Sequence, residues 1–281
     1  MELSRLDFHR KIPSIFRYNS GYEQEEAIGS KETREETGEK NFAPEQITMQ
    51  RFFGSFDLSQ KSQRISDRKI LHQLKDVLRL GVGDKIILSD EKSNQATAEI
   101  VKLTKDFVDL ALRDVRHNDA EPEIGITLYC AILKRENFEW VVQKTTEVGV
   151  REIVPVITKR TVKLGLNVER LQKIAKEAAE QAGRGIVPVV YKPMSFADAA
   201  EKAKAHGRNM FCDVGGDDIL HIQLARVDSL GIWIGPEGGW GSEEVLAAQK
   251  ERFMFANLGK LVLRAETAAI IASYFIVQRY S

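Results

Sequence analysis

Cysteine is nearly absent from this chain: Cys130 and Cys212 are the only two in 281 residues, and both lie inside apolar runs. Two separated thiols build no disulfide framework, and free cysteine is commonly a small buried hydrophobe, so a reducing, cytoplasmic setting is expected. No His, Cys and carboxylate cluster with ligand spacing accompanies them, and no metal is expected. Long apolar runs are missing as well. No stretch approaches the roughly 20 residues of a membrane span, and the N-terminus carries no short apolar core before a small-residue cleavage site. Net charge is also missing, since 41 Lys and Arg balance 41 Asp and Glu, which argues against a strongly basic nucleic-acid scaffold. Internal repeats and low-complexity arrays are lacking.

The even charge hides a local bias. Between Arg51 and Lys85 stand eight cations against four anions, a modest patch that suits phosphate contacts or simply a solvated surface. Residues 1–48 differ from the rest: Gly21 to Thr48 is rich in Glu, Lys, Thr and Gly and poor in apolar residues, so a disordered extension is expected there. Met49 opens the folded sequence. From there to about Asn118, short β-like runs (Arg51–Phe56, Lys85–Ser89, Gln95–Leu103, Phe107–Leu112) suggest a small barrel. One helix interrupts them from about Asp67 to Leu80, with Ile70, Leu71, Leu74, Val77 and Leu78 expected on its apolar face. His72, within it, reads as a packing or surface histidine.

After Pro122 the pattern becomes strand and helix in alternation. Expected strands are Ile124–Leu133, Ile153–Ile157, Val187–Tyr191, Met210–Asp213, Leu230–Ile234 and one near Leu258. Expected helices are Asn137–Val148, Val168–Ala182, Ser195–His206, one from Ser242 and a terminal one over Ala265–Tyr280. This is an α/β domain with a largely parallel sheet. The terminal helix is apolar nearly all round, so it is either deep in one core or part of a subunit interface.

Two loops stand out. Ile234-Gly235-Pro236-Glu237-Gly238-Gly239-Trp240 and Leu263-Arg264-Ala265-Glu266-Thr267-Ala268 each follow an apolar run. Glycines let backbone amides approach a ligand closely, and Pro236 fixes one φ angle. Glu243 and Glu244 fall in the next helix's first turn, where acidic side chains offset the dipole.

Five segments in fixed order extend these loops into a wider pattern: Arg51-Phe52-Phe53; Val77-Leu78-Arg79-Leu80 with Gly83-Asp84; Gln143-Lys144-Thr145-Thr146-Glu147-Val148-Gly149-Val150; Glu177-Ala178-Ala179-Glu180-Gln181 with Arg184; and the Gly235 and Leu258 loops. Through them residues 49–281 resemble the SPOUT-class ribosomal RNA methyltransferases of the RsmE family, which methylate N3 of a uridine in small-subunit (16S) rRNA. Val148, Ala182 and Gly241-Ser242 depart from the usual residues of that pattern without disturbing its geometry. The resemblance implies a PUA-like RNA-binding barrel over residues 49–118 and a SPOUT methyltransferase domain with a trefoil knot over 122–281. Pattern alone gives no knot, because threaded chains are nearly absent among folds.

The same resemblance implies S-adenosyl-L-methionine as cofactor, held by Thr158, Gly235, Pro236, Glu237, Gly238, Gly239, Leu258, Gly259, Leu263 and Thr267. A uridine N3 must lose a proton, so a cation near O2 or O4 is needed for the anion that forms. Arg264 and Arg184 are the candidates, Arg135 a third, with Glu266 or solvent as proton acceptor. Arg184 has a second reading, as a salt bridge at the end of its helix. RNA contacts are expected from Arg51, Arg64, Arg68, Lys69, Arg79 and Arg135. The expected protein is a cytoplasmic homodimer that acts on 16S rRNA within the small ribosomal subunit, without membrane or metal. A SPOUT-fold RNA-binding protein without turnover, or a SPOUT enzyme for another RNA, is the alternative.

Overall fold

Asp67 starts the first helix by accepting hydrogen bonds from the Lys69 and Ile70 N–H groups at 2.7 and 3.2 Å, the usual role of an N-cap carboxylate. That helix closes one side of a five-stranded sheet in the computed structural model, which describes residues 49–161 and 165–280. The extension expected at 1–48 lies outside the described residues. The sheet comprises β1 (Arg51–Phe53), β2 (Ser62–Ile65), β3 (Lys85–Ser89), β4 (Asn94–Leu103) and β5 (Val108–His117), in the order β1-β3-β4-β5-β2. β1 pairs parallel with β3, and the remaining pairs are antiparallel.

Helix α1 (Arg68–His72) runs into a π-helical turn, Gln73–Val77. The wider turn changes the face that the side chains present. Leu71 and Leu74 are buried, but Val77, expected beside them, is exposed. His72 is at the surface against Asp76. β1 stops at Phe53, short of the expected Phe56, where Gly54 approaches the Phe56 ring too closely for a Cβ. β2 was not legible: of its four residues Ile65 alone is buried.

The second sheet has the order β12-β10-β11-β6-β7-β8, with β9 on β7, and every pair is parallel. Its strands are β6 (Gly125–Ala131), β7 (Glu152–Ile157), β8 (Val189–Val190), β9 (Met194–Ser195), β10 (Arg208–Asp218), β11 (Ser229–Ile234) and β12 (Met254–Asn257). Helices α2 (Arg135–Glu147), α3 (Val168–Gln181) and α6 (Ala265–Tyr280) share one apolar core with the sheet. On the other face, α4 (Phe196–Ala203) and α5 (Ser242–Lys250) cover an aromatic layer in which Trp233 stacks on Tyr129 and Trp240 on Phe211.

β10 extends five residues beyond the expected Asp213, because a bulge between Cys212 and Asp217 lets it resume pairing with β12. Gly216 fits there because a Cβ would lie 2.4 Å from the Ala256 backbone. The terminal helix divides its faces. Ala269, Ala272, Ile276 and Val277 are buried against this chain's own core, whereas Ile271 and Tyr274 are exposed. Of the two expectations for this helix, core or subunit interface, Ile276 follows the first and is internal.

Candidate functional site: the carboxyl edge of the parallel sheet

Parallel pairing sends the ends of β6, β7, β11 and β12 to one edge of the sheet. β6 connects outward to β7 on one side, while β11 lies on its other side. Such a reversal opens a crevice at the strand ends, where α/β sheets bind ligands. After β12 the chain crosses back, past β10, to place α6 against β11 and β6. Thr158, Gly235 and Leu258 are thus brought to the same edge.

The Gly235 loop is a tight turn closed by the Gly239 N–H, which donates to the Pro236 carbonyl at 2.8 Å. Gly239 has φ +74°, a region that L side chains rarely adopt. A Cβ on Gly235 would meet the Trp240 indole at 3.0 Å, and that indole is fixed by donating from Nε1 to the Cys212 carbonyl at 3.0 Å. Pro236 is buried, while Glu237 and Gly238 are exposed at the rim. Two glycines of this loop are therefore required by packing and backbone geometry alone.

The loop after β7 is tied to this turn by contacts the sequence did not reveal. The Thr158 N–H donates to Thr161 Oγ1 at 2.8 Å. Glu244, buried at the start of α5, accepts from the Lys159 N–H at 2.8 Å and from the Gly241 N–H at 2.6 Å. Its expected role was the helix dipole alone; it also joins two loops. Arg160, which carried no sequence signal, lies over Gly238 and donates to the Gly238 carbonyl.

On the third side Gly259, with φ +110°, donates its N–H to Asn257 Oδ1 at 3.1 Å. Leu258, Leu263 and Thr267 are half-buried, and Arg264 is exposed with no side-chain hydrogen bond or ion pair among the described residues. Glu266, in the first turn of α6, is only 4% exposed, and its Oε2 has no hydrogen-bond partner among the described residues. Burial pushes the Cys130 thiol far up, with the charges of Glu237 and Glu266 adding to the shift. Both carboxylates therefore act on the end of β6. Cys130 itself is a buried thiol held protonated, with none of the thiolate character of a nucleophile.

Arg184 is elsewhere, which corrects its placement at the reacting base. Its guanidinium, 4% exposed, donates to the Thr146 and Val150 carbonyls at 3.1 and 2.6 Å and pairs with both Glu121 oxygens at 3.1 and 2.7 Å. Val150 precedes β7, whereas Thr158 follows it. The two ends of that six-residue strand are about 20 Å apart. The salt-bridge reading of Arg184 holds.

The expected RNA contacts divide in the same way. Arg51 is 6% exposed and donates to Gln95 Oε1 at 2.7 Å; burial, then the Arg116 charge, lowers its pKa. A buried guanidinium cannot reach a phosphate. Arg64 is exposed but bound through two nitrogens to Asp109, at 2.7 and 2.9 Å, above the Phe107 ring. Arg135 pairs with Glu139 at 3.0 Å, and Arg170 joins the same carboxylate. Arg68, Lys69 and Arg79 are exposed without a side-chain ion pair among the described residues.

Comparison with known proteins gives a consistent result. Residues 120–277 match the family of RNA methyltransferase domains, and residues 67–112 match RNA methyltransferase PUA domains. The ribosomal RNA small subunit methyltransferase E of Rickettsia conorii is 30% identical over 221 residues, covering 75% of this chain and 87% of that protein. Its counterpart in Bacillus subtilis is 29% identical over 216 residues, covering 72% of this chain and 84% of its own. A crystal structure of ribosomal RNA small subunit methyltransferase E from Neisseria gonorrhoeae, bound to S-adenosyl methionine, superposes with TM-score 0.76 at 28% identity, covering 83% of this chain and 98% of that one.

Proposed function

The chain belongs to the ribosomal RNA small subunit methyltransferase E family, and from that premise we propose that it transfers a methyl group from S-adenosylmethionine to N3 of a uridine in 16S rRNA. Its PUA-type barrel and α/β methyltransferase domain divide at residues 119–121, and the cytoplasm is its place of action. No helix among the described residues is long and apolar enough to cross a membrane. The knot of the fold class belongs to this reading too.

The residues at the carboxyl edge fit the cofactor. The observation that carries the reading is Glu266: a buried carboxylate with an unpartnered oxygen, at the edge where three backbone turns meet. A buried acceptor left without a partner costs about 1 to 3 kcal/mol, so a donor group from a ligand would relieve it. Gly235, Pro236, Glu237, Gly238 and Gly239 form one wall, Leu258, Gly259, Leu263 and Thr267 another, and Thr158 the third.

S-adenosylmethionine supplies an activated methyl group with its own leaving group. What remains for the protein is positioning, worth on the order of 7 to 11 kcal/mol of a barrier when two reactants are held in line. Arg264 stands exposed at the mouth, where its fork can stabilise negative charge that develops on the uracil oxygens. Glu266 is the candidate proton acceptor. N3 lies on the pairing edge of the base, so the target uridine must be unpaired when it is read.

Titration with S-adenosylmethionine, followed by mass mapping of 16S rRNA after single-turnover methylation, tests this directly. The expected product carries one methyl group at N3 of a uridine. Donor binding without any methyl transfer would reduce the protein to an RNA-binding role, and methylation confined to another RNA would move the substrate.

The second part of the proposal is a homodimer. Ile271 and Tyr274 are 43% and 54% exposed on α6, and Leu261 and Val262 are 80% and 86% exposed in the adjoining loop. An apolar set of this kind suits an interface. Ile271→Glu should convert the dimer to monomer in sedimentation; a wild type that is monomeric at micromolar concentration would overturn it.

A further inference from the structure

The turn 183–186, which follows α3, is gripped from both domains. On the α/β side, Arg184 donates to the Thr146 carbonyl at the end of α2, where a cation also suits the helix dipole, and to the Val150 carbonyl just beyond it. On the barrel side, the Ser93 N–H and Ser89 Oγ both donate to the Gly185 carbonyl, at 3.2 and 3.3 Å. Asn118 donates from Nδ2 to the Gly183 carbonyl at 2.9 Å and to Gln95 Oε1 at 3.3 Å. A Cβ on Gly185 would lie 2.9 Å from the Asn118 Cβ, so only glycine permits this approach.

Glu121 stands in the connection between β5 and β6, and from this linker it holds the same turn. Its carboxylate takes two hydrogen bonds from Arg184 and others from the Gly185 and Ile186 N–H groups, at 2.9 and 3.3 Å. A second tie lies nearby, where Lys176 donates to the Phe53 carbonyl at 2.8 Å and the Phe53 N–H donates to Glu180.

We propose that Arg184 and Glu121 are a positioning pair that sets the angle of the barrel against the α/β domain, so that RNA held by the barrel presents its base at the carboxyl edge. This rests on the methyltransferase reading for its substrate, but not for its geometry. Arg184 lies one strand length from the donor loops and acts only through orientation. A planar fork serves two carboxylate oxygens and the Thr146, Gly149 and Val150 carbonyls at once, which a lysine does not. A misplacement of about 1 Å at a reacting centre can cost about 100-fold in rate, so a loosened pair should affect RNA use well before it affects the donor.

The test uses the full chain with spin labels at Lys105→Cys in the barrel and Lys250→Cys on α5, in a Cys212→Ser background. Compared are the parent, Arg184→Lys and Glu121→Gln. The expected result is a narrow distance distribution in the parent and a broad one in both variants. The single-turnover rate at saturating RNA should fall about tenfold or more, with S-adenosylmethionine affinity unchanged. Asn118→Ser, a milder break on the barrel side, should move the same readouts in the same direction if the other two fold poorly. An unchanged distance distribution overturns the proposal, as does equal loss of donor and RNA affinity. A parent that binds no donor would strike the methyltransferase reading, while the distance measurement would still decide the pair.

Discussion

Two edges of one sheet hold arginine and glutamate in opposite conditions. At the amino edge, Arg184 and Glu121 are buried and mutually paired, with backbone groups occupying their remaining capacity. At the carboxyl edge, Arg264 is exposed and unpaired among the described residues, while Glu266 is buried with an oxygen left over. Residues of the same types thus serve two purposes, and hydrogen-bond completeness separates them. A satisfied network holds a shape; incomplete groups are available to a ligand.

The comparison breaks most forcefully at the amino edge. Arg184→Ala should cost about 3 to 5 kcal/mol, because it leaves a buried carboxylate uncompensated. Denaturant melts measure this, and a loss within error would mean that water replaces the guanidinium. At the carboxyl edge, Arg264→Ala should leave the melts unchanged and lower the single-turnover methylation rate about 100-fold, as the loss of one charge-stabilising donor does. If that variant runs at the parent rate with donor and RNA saturating, Arg160 at the Gly238 carbonyl becomes the cation to test.

Acid sharpens the contrast further. Burial alone would raise the Glu121 carboxyl, but the Arg184 hydrogen bonds and charge, with the Gly185 and Ile186 N–H groups, outweigh it and hold the group below its ordinary 4.5. Its contribution to stability is complete above that value and is lost as pH falls through the lower folded value. Glu121→Gln should therefore flatten the acid limb of the melting profile, and an unaltered limb would show that other carboxylates control it. The smallest effect belongs to the surface. Replacing Arg68, Lys69 and Arg79 by Ala should reduce the log-log salt slope of RNA binding by about 0.7 to 0.9 per lost phosphate contact, without altering stability. Arg64→Ala should change that slope less than any of the three, because Asp109 already holds its fork.

Much of this was readable along the chain. The 3.6 and 2 periodicities located most of the helices and strands, because local burial repeats with the geometry of the element. The glycine and proline of the Gly235 loop were readable because a turn restricts its own residue types. β2 was not, having one buried residue, and neither was the length of β10, since its bulge depends on the close approach of Gly216 to β12.

The order of five motifs by itself determined the family and pointed to the Gly235 and Leu258 loops, with Arg264 and Arg184 as candidate cations. It could not decide which charged residues meet. Arg184 finds Glu121 across 63 residues, and Glu244 finds the Lys159 amide across 85. A charge in a sequence has the same identity whether it ends buried or solvated, and only packing fixes its partner. The tertiary structure therefore decided that Arg51 is buried against Gln95 and Arg184 against Glu121, that Arg264 and Glu266 lie at the carboxyl edge, and that Ile276 belongs to the core.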